Sequence, residues 1–345
     1  MHRSFETVGA EDERLTWSGA VSLQRKWGWV MPWRLPYDDL ALFPPESLRL
    51  YAAMPSGVRL RFATDAEAVE FQAEPTPNAG DLDLYADDAL VRTLVFEEGE
   101  TAIGFEALPR GMKTLELWLN PSTPFLLRAV RLPAGAHLER SQDRRPRWIT
   151  YGSSITHCVW SGSPSLTWPG VVARAKGLNL LSLGFNGECH ADPMIARLIR
   201  DLPADFVSLK IGINIHGSGS LNVRSFLPAV IGTIVTVREG HPDIPLVVCS
   251  PIWSPPRETT PNGAGMSLQT MRQEVFEAVE IVREKGDKSL HYVDGLRLFG
   301  PEYATNLPDL VHPDAEGYRI LGHNFVREVF DRIGVQLPPE TRVPN

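Results

Sequence analysis

The stretch WITYGSSIT, residues 148–156, lies where the pattern of the sequence changes. Before it, up to about residue 140, short segments alternate apolar with polar residues, and turn sequences such as PSG, PNAGD and PRG separate them. After it, continuous apolar runs alternate with helix-like segments. The 345-residue chain therefore predicts two domains with different architectures, as its length also suggests.

The first half predicts an antiparallel β-sandwich. Its alternating segments include 58–62, 69–71, 82–84 and 115–119. Alternation with a period of two places one face of each strand in a core, and frequent turn sequences join such strands into antiparallel sheets. We expect a jelly-roll-like sandwich domain over residues 1–143.

The second half predicts a parallel sheet with helices on both faces, because strand-like and helix-like segments alternate. The predicted strands are 148–151, 178–183, 206–213, 246–249 and 292–293, and the predicted helices are 168–176, 192–201, 222–239, 266–285 and 314–333. Five strands fit a flavodoxin-like, doubly wound α/β layout, in which ligands bind at the carboxyl ends of the strands. We expect this domain to cover residues 144–334, followed by a C-terminal tail at 335–345.

Composition narrows the classes of partner. The formal net charge of −8 makes a nucleic acid a poor partner. No stretch approaches the ~20 apolar residues that cross a bilayer, and no apolar segment near the N-terminus resembles a secretory signal. These features predict a cytoplasmic protein with no nucleic-acid or membrane partner, and they leave the oligomeric state open.

Two serines, Ser153 and Ser154, follow the first predicted strand of the second half. A hydroxyl at this edge of the sheet is able to attack a carbonyl, and a backbone N–H at the start of the next helix is able to stabilise an oxyanion. The same Gly-Ser-Ser sequence is also typical of an ordinary turn with a helix cap. The turn alone therefore leaves both interpretations open.

An Asp-x-x-His loop, Asp309 to His312, follows the last predicted strand. Its carboxylate is able to accept the Nδ1 proton of the imidazole, which directs Nε2 outward as a base. In isolation the pair also fits a solvated surface loop. Because strand ends of a parallel sheet share one edge, we expect His312 to lie beside Ser154. Gly187 and Asn214 follow the second and third strands, and both are suitable oxyanion donors, although each also fits an ordinary turn.

These segments resemble the four sequence blocks of the SGNH (GDSL-type) hydrolase superfamily. GSSIT, LGFNG, GIN and DLVHP occur in the superfamily's order over residues 148–333. The resemblance implies that Ser154 is the nucleophile and that Asp309 and His312 complete the triad. It also implies an oxyanion hole formed by Gly187, Asn214 and the backbone N–H of Ser154.

Two positions depart from the superfamily pattern. Ser153 stands where aspartate is frequent, and Ile215 follows Asn214 where aspartate is common; neither position belongs to the catalytic set. WITYGSSIT and the upstream GDLDLY, residues 80–85, resemble a subgroup in which a β-sandwich precedes the SGNH domain and which includes esterases. The architecture also resembles that of an acyltransferase that adds a salicylyl group, from its coenzyme A thioester, to a tetracycline-type polyketide.

The resemblance implies a serine acyl-transfer enzyme with no bound metal or cofactor and with acyl-CoA as a candidate co-substrate. We expect transfer of an acyl group, of an aromatic salicylyl type, to a hydroxyl of a small natural product. The alternative is an esterase that hydrolyses a small-molecule or carbohydrate ester. A carbohydrate-binding protein with an inactive second domain is a third interpretation.

Four further residues near the predicted strand ends form a candidate substrate pocket: His157, Trp160, His216 and Trp253. Aromatic side chains there suit an aromatic or polycyclic substrate, although each residue also fits a structural role. The stretch Glu188-Cys189-His190-x-Asp192 contains metal-ligand residue types, but too few ligands at suitable spacing for a metal site. Arginines at 144, 145 and 147 are candidates for contacts with coenzyme A phosphates, or belong to a solvated linker over 140–147.

Overall fold

A computed structural model describes residues 4–339 of the chain. Within these residues, the first of two compact units contains residues 4–40, Arg49–Asp143 and Ser163–Ser165, and the second contains Ala41–Leu48, Arg144–Gly162 and residues 166–339. Two short segments, 41–48 and 163–165, thus belong to the opposite unit from the one that their place in the sequence predicts. Residues 340–345 of the predicted C-terminal tail lie outside the described residues.

The first unit contains two antiparallel sheets of six strands each. Its strands are β1 Phe5–Gly9, β2 Thr16–Ser18, β3 Ser22–Lys26, β4 Trp29–Trp33, β5 Arg59–Thr64, β6 Ala68–Ala73, β7 Gly80–Ala86, β8 Ala89–Phe96, β9 Ala102–Glu106, β10 Lys113–Trp118, β11 Leu127–Pro133 and β12 Leu138–Glu139. One sheet has the order β3-β4-β11-β6-β9 with β1 on β11, and the other has the order β12-β5-β10-β7-β8 with β2 on β5. The sandwich prediction is confirmed.

Alternation along these strands builds the core of the sandwich. Leu60 and Phe62 on β5, Phe71 on β6, and Leu115 and Leu117 on β10 are all fully buried. The residues between them are more polar and face outward or pair with one another, as the ion pair of Arg61 with Glu116 does on adjacent strands. The period-two pattern of the sequence is therefore the pattern of burial.

The GDLDLY stretch forms most of β7, and its central carboxylate is completely buried. Asp83 Oδ1 accepts a hydrogen bond from Thr93 Oγ1 at 2.6 Å. Its Oδ2 accepts from Ser163 Oγ at 2.7 Å and from the backbone N–H of Ser165 at 2.8 Å. Tyr85, two residues further along the strand, bonds to Ser165 Oγ at 2.9 Å. The motif therefore fixes the segment Ser163–Ser165 within the first unit.

The second unit contains a five-stranded parallel sheet in the order β14-β13-β15-β16-β17. Its strands are β13 Arg147–Gly152, β14 Asn179–Gly184, β15 Phe206–Lys210, β16 Leu246–Cys249 and β17 Leu290–Val293. The α-helices of the described residues are α1 Glu46–Ala52, α2 Ser154–His157, α3 Trp168–Lys176, α4 Pro193–Asp201, α5 Ile213–Ser218, α6 Phe226–Gly240, α7 Leu268–Glu284, α8 Gly295–Leu298 and α9 Ala315–Phe325. The flavodoxin-like prediction is confirmed.

An aromatic cluster around Trp148 of β13 stabilises this sheet. The ring of Trp148 stacks on Phe206 of the adjacent strand at 5.7 Å and contacts Trp168 at 5.9 Å and Phe325 at 5.6 Å. The indole nitrogen of Trp148 donates to Ser208 at 3.0 Å. The continuous apolar strands of the sequence are therefore buried on both faces, and Trp168 at the start of α3 is part of the same core.

Several predicted boundaries are wrong; the helix predicted at 222–239, for example, begins four residues later, as α6 Phe226–Gly240. The strand predicted at 206–213 ends at Lys210, because Gly212 adopts φ +138° and α5 begins at the next residue. The helix predicted at 314–333 ends as α9 at Phe325 and continues as a π-helix over Val326–Arg332. The linker predicted at 140–147 ends one residue early, because Arg147 begins β13 and its guanidinium forms hydrogen bonds of 3.0 and 3.1 Å with Asp205.

No helix within residues 4–339 is both long enough and apolar enough to cross a membrane.

Candidate active site

The turn after β13 begins with a helix cap that explains one departure from the superfamily pattern. Ser153 has an extended backbone, and its hydroxyl accepts a hydrogen bond from the N–H of Ile155 at 3.2 Å at the start of α2. Serine and aspartate are both favourable N-cap residues. Ser153 therefore performs a local structural role that aspartate also performs, and Ser154 becomes the first residue of the helix.

Gly184, the last residue of β14, allows α2 to pack closely against the end of the strand. A Cβ atom at Gly184 would collide with the backbone of Thr156 and His157, so only glycine fits at this strand end. This packing holds the short helix, and with it Ser154, against the carboxyl edge of the sheet. His157 lies on the inner side of α2 with 0% of its surface exposed. The structure therefore does not place His157 on a surface that a substrate reaches, contrary to its place in the predicted pocket.

The hydroxyl of Ser154 and the imidazole of His312 are in hydrogen-bonding contact, with Oγ and Nε2 at 2.8 Å. On the opposite side of the ring, His312 Nδ1 lies 2.6 Å from Asp309 Oδ2. The second carboxylate oxygen, Oδ1, accepts the backbone N–H groups of Val311 at 3.0 Å and His312 at 2.7 Å. Asp309 thus fixes both the conformation of the loop and the orientation of the His312 ring.

The Asp309 carboxyl is the charged end of this chain of bonds. Its partial burial acts to raise its pKa, but hydrogen bonds from the side chain and backbone of His312 and from the backbone of Val311 outweigh burial and lower the pKa below its usual value. The carboxylate is therefore ionised at neutral pH and accepts the Nδ1 proton of His312. That tautomer leaves Nε2 as an acceptor facing Ser154.

The two predicted oxyanion donors lie at the neighbouring strand ends. Gly187 follows β14 with φ +77°, a conformation that favours glycine. Its carbonyl is bonded to His190 Nε2 at 2.9 Å, and His190 Nδ1 is bonded to Ser220 Oγ at 2.8 Å. In the sequence His190 stands out only as a metal-ligand residue type, whereas in the structure it anchors the Gly187 turn.

Asn214 lies in α5, directly after the end of β15. Its Oδ1 accepts the backbone N–H of Cys189 at 3.1 Å. Because the amide oxygen is engaged there, the Nδ2 group carries its two hydrogens on the other side of the side chain. Asn214 is thus held in one orientation as a donor.

The remaining predicted pocket residues differ in exposure. Trp160 is 50% exposed, and its ring meets the ring of His312 edge-on, with centroids 4.9 Å apart and planes at 83°. Trp253 is half-buried in the loop after β16. His216 in α5 is 8% exposed, and burial, together with the charge of Arg257, lowers its pKa. His216 is therefore neutral at pH 7, and Trp160 is the aromatic side chain that contacts the proposed base.

The cysteines do not provide a competing nucleophile. Cys158, Cys189 and Cys249 are all free and buried. Burial raises the pKa of Cys189 and of Cys249 to about 12, and it raises the pKa of Cys158 further. These thiols stay protonated at neutral pH and are weak nucleophiles. Among residues 4–339, no group of three or more His, Cys, Asp or Glu side chains is arranged to hold a metal ion.

Comparison with protein families gives two matches that together span most of the chain. The sequence model of the GDSL-like lipase/acylhydrolase family matches residues 146–327, more than half of the chain. The chain belongs to this family. The model of the SsfX3 N-terminal domain matches residues 15–128. The protein is therefore an enzyme of the GDSL acyltransferase or esterase type with a second, N-terminal domain.

Solved structures extend this result over both units. The salicylyl-acyltransferase SsfX3 from a tetracycline biosynthetic pathway is 37% identical, with a TM-score of 0.90 over 97% of this chain and 100% of that chain. A protein described as a GDSL-like lipase from Bacteroides ovatus is 17% identical, with a TM-score of 0.76 over 97% of this chain and 100% of that one.

A family two carbohydrate esterase from Clostridium thermocellum is 14% identical, with a TM-score of 0.64 over 81% of this chain and 94% of that chain. At these low identities, the Bacteroides and Clostridium structures show the same fold. No curated protein sequence matches the chain.

Proposed function

We propose that the protein transfers an aromatic acyl group from a coenzyme A thioester to a hydroxyl of a small natural product, through an acyl-enzyme on Ser154. The observation that carries the proposal is the chain of contacts from Ser154 Oγ to His312 Nε2 at 2.8 Å and from His312 Nδ1 to Asp309 Oδ2 at 2.6 Å. A serine hydroxyl is a poor nucleophile at neutral pH, and a base in contact with it removes this limitation.

In the first step, Ser154 Oγ attacks the thioester carbonyl while His312 Nε2 accepts its proton. The carbonyl oxygen becomes an oxyanion, for which the Ser154 and Gly187 backbone N–H groups and the Asn214 amide are the proposed donors. Loss of one such donor typically costs ~3 kcal/mol of transition-state stabilisation. The tetrahedral intermediate then collapses, the C–S bond breaks, and the thiol leaves with the proton from His312.

In the second step, the same imidazole accepts the proton of the acceptor hydroxyl as that oxygen attacks the acyl-enzyme. Collapse of the second tetrahedral intermediate releases the new ester and returns the proton to Ser154. Asp309 stabilises the imidazolium that forms in both steps, and its depressed pKa keeps it ionised throughout.

Trp160 supports the choice of an aromatic acyl group. Its half-exposed ring lies against the ring of His312, so a planar acyl group on Ser154 would have an aromatic neighbour. SsfX3, a salicylyl-acyltransferase, shares 37% of its residues with this chain, which favours an acyl group of the same type. A tetracycline-type polyketide is the corresponding class of acceptor.

The alternative function is ester hydrolysis, in which water replaces the acceptor hydroxyl. The match to a lipase/acylhydrolase family keeps this alternative open, because transfer and hydrolysis share every step up to the acyl-enzyme. The two reactions differ only in the partner that releases the acyl group. A ring beside His312 would restrict the approach of water to an acyl group on Ser154, which supports transfer.

The test is to incubate the enzyme with salicylyl-CoA, and separately with acetyl-CoA, with and without a panel of phenolic and polycyclic alcohols. Thiol release and product mass are measured together. Transfer predicts that an acceptor accelerates thiol release and that ester forms in the same amount. Formation of free acid at one rate whatever the acceptor would establish the esterase instead.

A further inference from the structure

A serine outside the triad is bonded to the loop that carries Asp309 and His312. Ser254 lies in the segment after β16, and its hydroxyl donates to the carbonyl oxygen of Leu310 at 2.7 Å. Only 1% of the Ser254 surface is exposed. Ser254 therefore contacts the catalytic loop from the interior of the protein, and it is too deeply buried to contact a substrate.

The residue that Ser254 holds is the strained one in the loop. Leu310 has φ +66°, in the left-handed region that favours glycine and is unfavourable for leucine. It lies between Asp309 and Val311, whose backbone N–H donates to the Asp309 carboxylate at 3.0 Å. A strained residue persists only when its surroundings fix it, and the bond from Ser254 is one of those constraints.

The direction of this bond is determined by the other partners of Ser254. Its Oγ accepts a hydrogen bond from Arg257 Nη1 at 3.0 Å, so its single proton is given to Leu310. Its backbone N–H donates to Glu258 Oε1 at 2.9 Å, and Glu258 forms an ion pair with Arg272 of α7. Ser254 is thus itself fixed, through Glu258, to a long helix of the second unit.

We propose that Ser254 is a positioning residue for the catalytic loop, holding Leu310 so that the Asp309–His312 pair faces Ser154. The inference rests on the acyl-enzyme chemistry proposed above. Reaction rates depend steeply on the placement of the base, and a neutral hydrogen bond contributes modestly to such placement. Loss of the hydroxyl should therefore lower kcat about three- to tenfold and leave KM unchanged, because Ser254 does not reach the substrate.

The test compares three substitutions of Ser254 with one control, using p-nitrophenyl acetate and the rate of the acylation burst. Ser254→Ala and Ser254→Cys remove or weaken the donor, and Ser254→Thr retains it. The control is Ser250→Ala, another fully buried serine, whose hydroxyl bonds instead to Tyr292 at 3.0 Å and to the Gly295 N–H at 3.0 Å. Thermal unfolding of each variant is recorded in parallel.

The expected result is a three- to tenfold lower kcat in the Ala and Cys variants, recovery in the Thr variant, and wild-type kcat in Ser250→Ala even if its unfolding temperature falls. Wild-type kcat in Ser254→Cys or Ser254→Ala would overturn the inference, and so would an equal loss in Ser250→Ala. If Ser254→Ala does not fold, the comparison of Ser254→Cys with Ser254→Thr tests the inference. Failure of a fluorophosphonate probe to label Ser154 in the wild type would instead count against the acyl-enzyme itself.

Discussion

Ser154 Oγ and His312 Nε2 lie 2.8 Å apart although 158 positions separate the two residues in the chain. The contact forms because Ser154 follows the first strand of the parallel sheet and His312 follows the last, and both strands end at the same edge. A flavodoxin-like sheet thus assembles a nucleophile and a base from opposite ends of one domain.

Asp309→Asn tests the role of the carboxylate. The amide keeps the shape of the side chain, but it offers His312 a donor as readily as an acceptor, and the tautomer with Nε2 facing Ser154 loses its support. We expect the acylation rate with p-nitrophenyl acetate to fall about 10²- to 10⁴-fold. Stopped-flow measurement of the burst gives this rate directly. A rate within twofold of the wild type in Asp309→Asn or Asp309→Ala would show that the carboxylate does not orient the base.

Trp160→Ala tests the aromatic acyl group. Removing a half-exposed ring from beside His312 should lower kcat/KM for salicylyl-CoA about tenfold, because stacking and apolar contact with the acyl ring are lost. The same change should affect acetyl-CoA by less than threefold. Thiol release with the two donors provides the comparison, and Trp253→Ala is the matched aromatic variant. Equal losses with both donors would show that Trp160 supports His312 rather than the acyl ring.

Asp83→Ala tests the GDLDLY motif as a structural element of the first unit. The substitution leaves three donors without their buried acceptor, those of Thr93, Ser163 and Ser165. We expect a loss of about 3 kcal/mol of stability, seen as a lower unfolding temperature by calorimetry. The control is Asp81→Asn on the same strand, since burial raises the pKa of that carboxyl and ionised Asp81 is unfavourable in the fold. Asp81→Asn should be neutral or stabilising, and equal destabilisation by both changes would contradict the role of Asp83.

Lys210→Met tests a buried charge at the end of β15. Burial lowers the pKa of Lys210 from 10.5 to about 8. Between these two values the unfolded chain binds more protons than the folded one, so this lysine makes the free energy of unfolding rise with pH. Below pH 8 Lys210 is charged in the folded protein, and burial of that charge lowers the free energy of unfolding by its full amount.

We therefore expect Lys210→Met to be more stable than the wild type at pH 7, by up to about 3 kcal/mol. The difference should shrink as the pH approaches 10. Urea unfolding at several pH values measures it, with Lys176→Met as the control for a partly exposed lysine. A constant difference across that range would show that the lysine is not buried in its charged form.

The sequence was sufficient to predict the elements that have a strong period. The alternation in β5 and β10 and the continuous apolar run of β13 determine which faces are buried, and burial sets the sheet type. The boundary after β15 was missed because Ile211 and Ile213 continue the apolar run. There the left-handed backbone of Gly212, which the composition does not reveal, ends the strand.

Residues whose role depends on tertiary contacts have no comparable periodic pattern in the sequence. The placement of Trp160 against His312 and the bond from Ser254 to Leu310 join segments far apart in the chain. Trp160 and Ser254 both lie outside the four superfamily blocks. The position of Trp160 after a strand end made it a pocket candidate but did not indicate its contact with His312, and a single buried serine has no pattern that distinguishes it from any other. His157, by contrast, was placed in the pocket for its nearness to Ser154 in sequence, and the turn of α2 directs it into the interior instead.

The claim on which the rest depends is that Ser154 forms a covalent bond with the acyl group. Mass spectrometry of the intact protein and of its peptides, after brief exposure to a fluorophosphonate probe, tests it most directly. We predict a single adduct on Ser154 in the wild type, none in Ser154→Ala, and greatly slowed labelling in His312→Ala. An adduct on another residue, or equal labelling of the wild type and Ser154→Ala, would contradict the account.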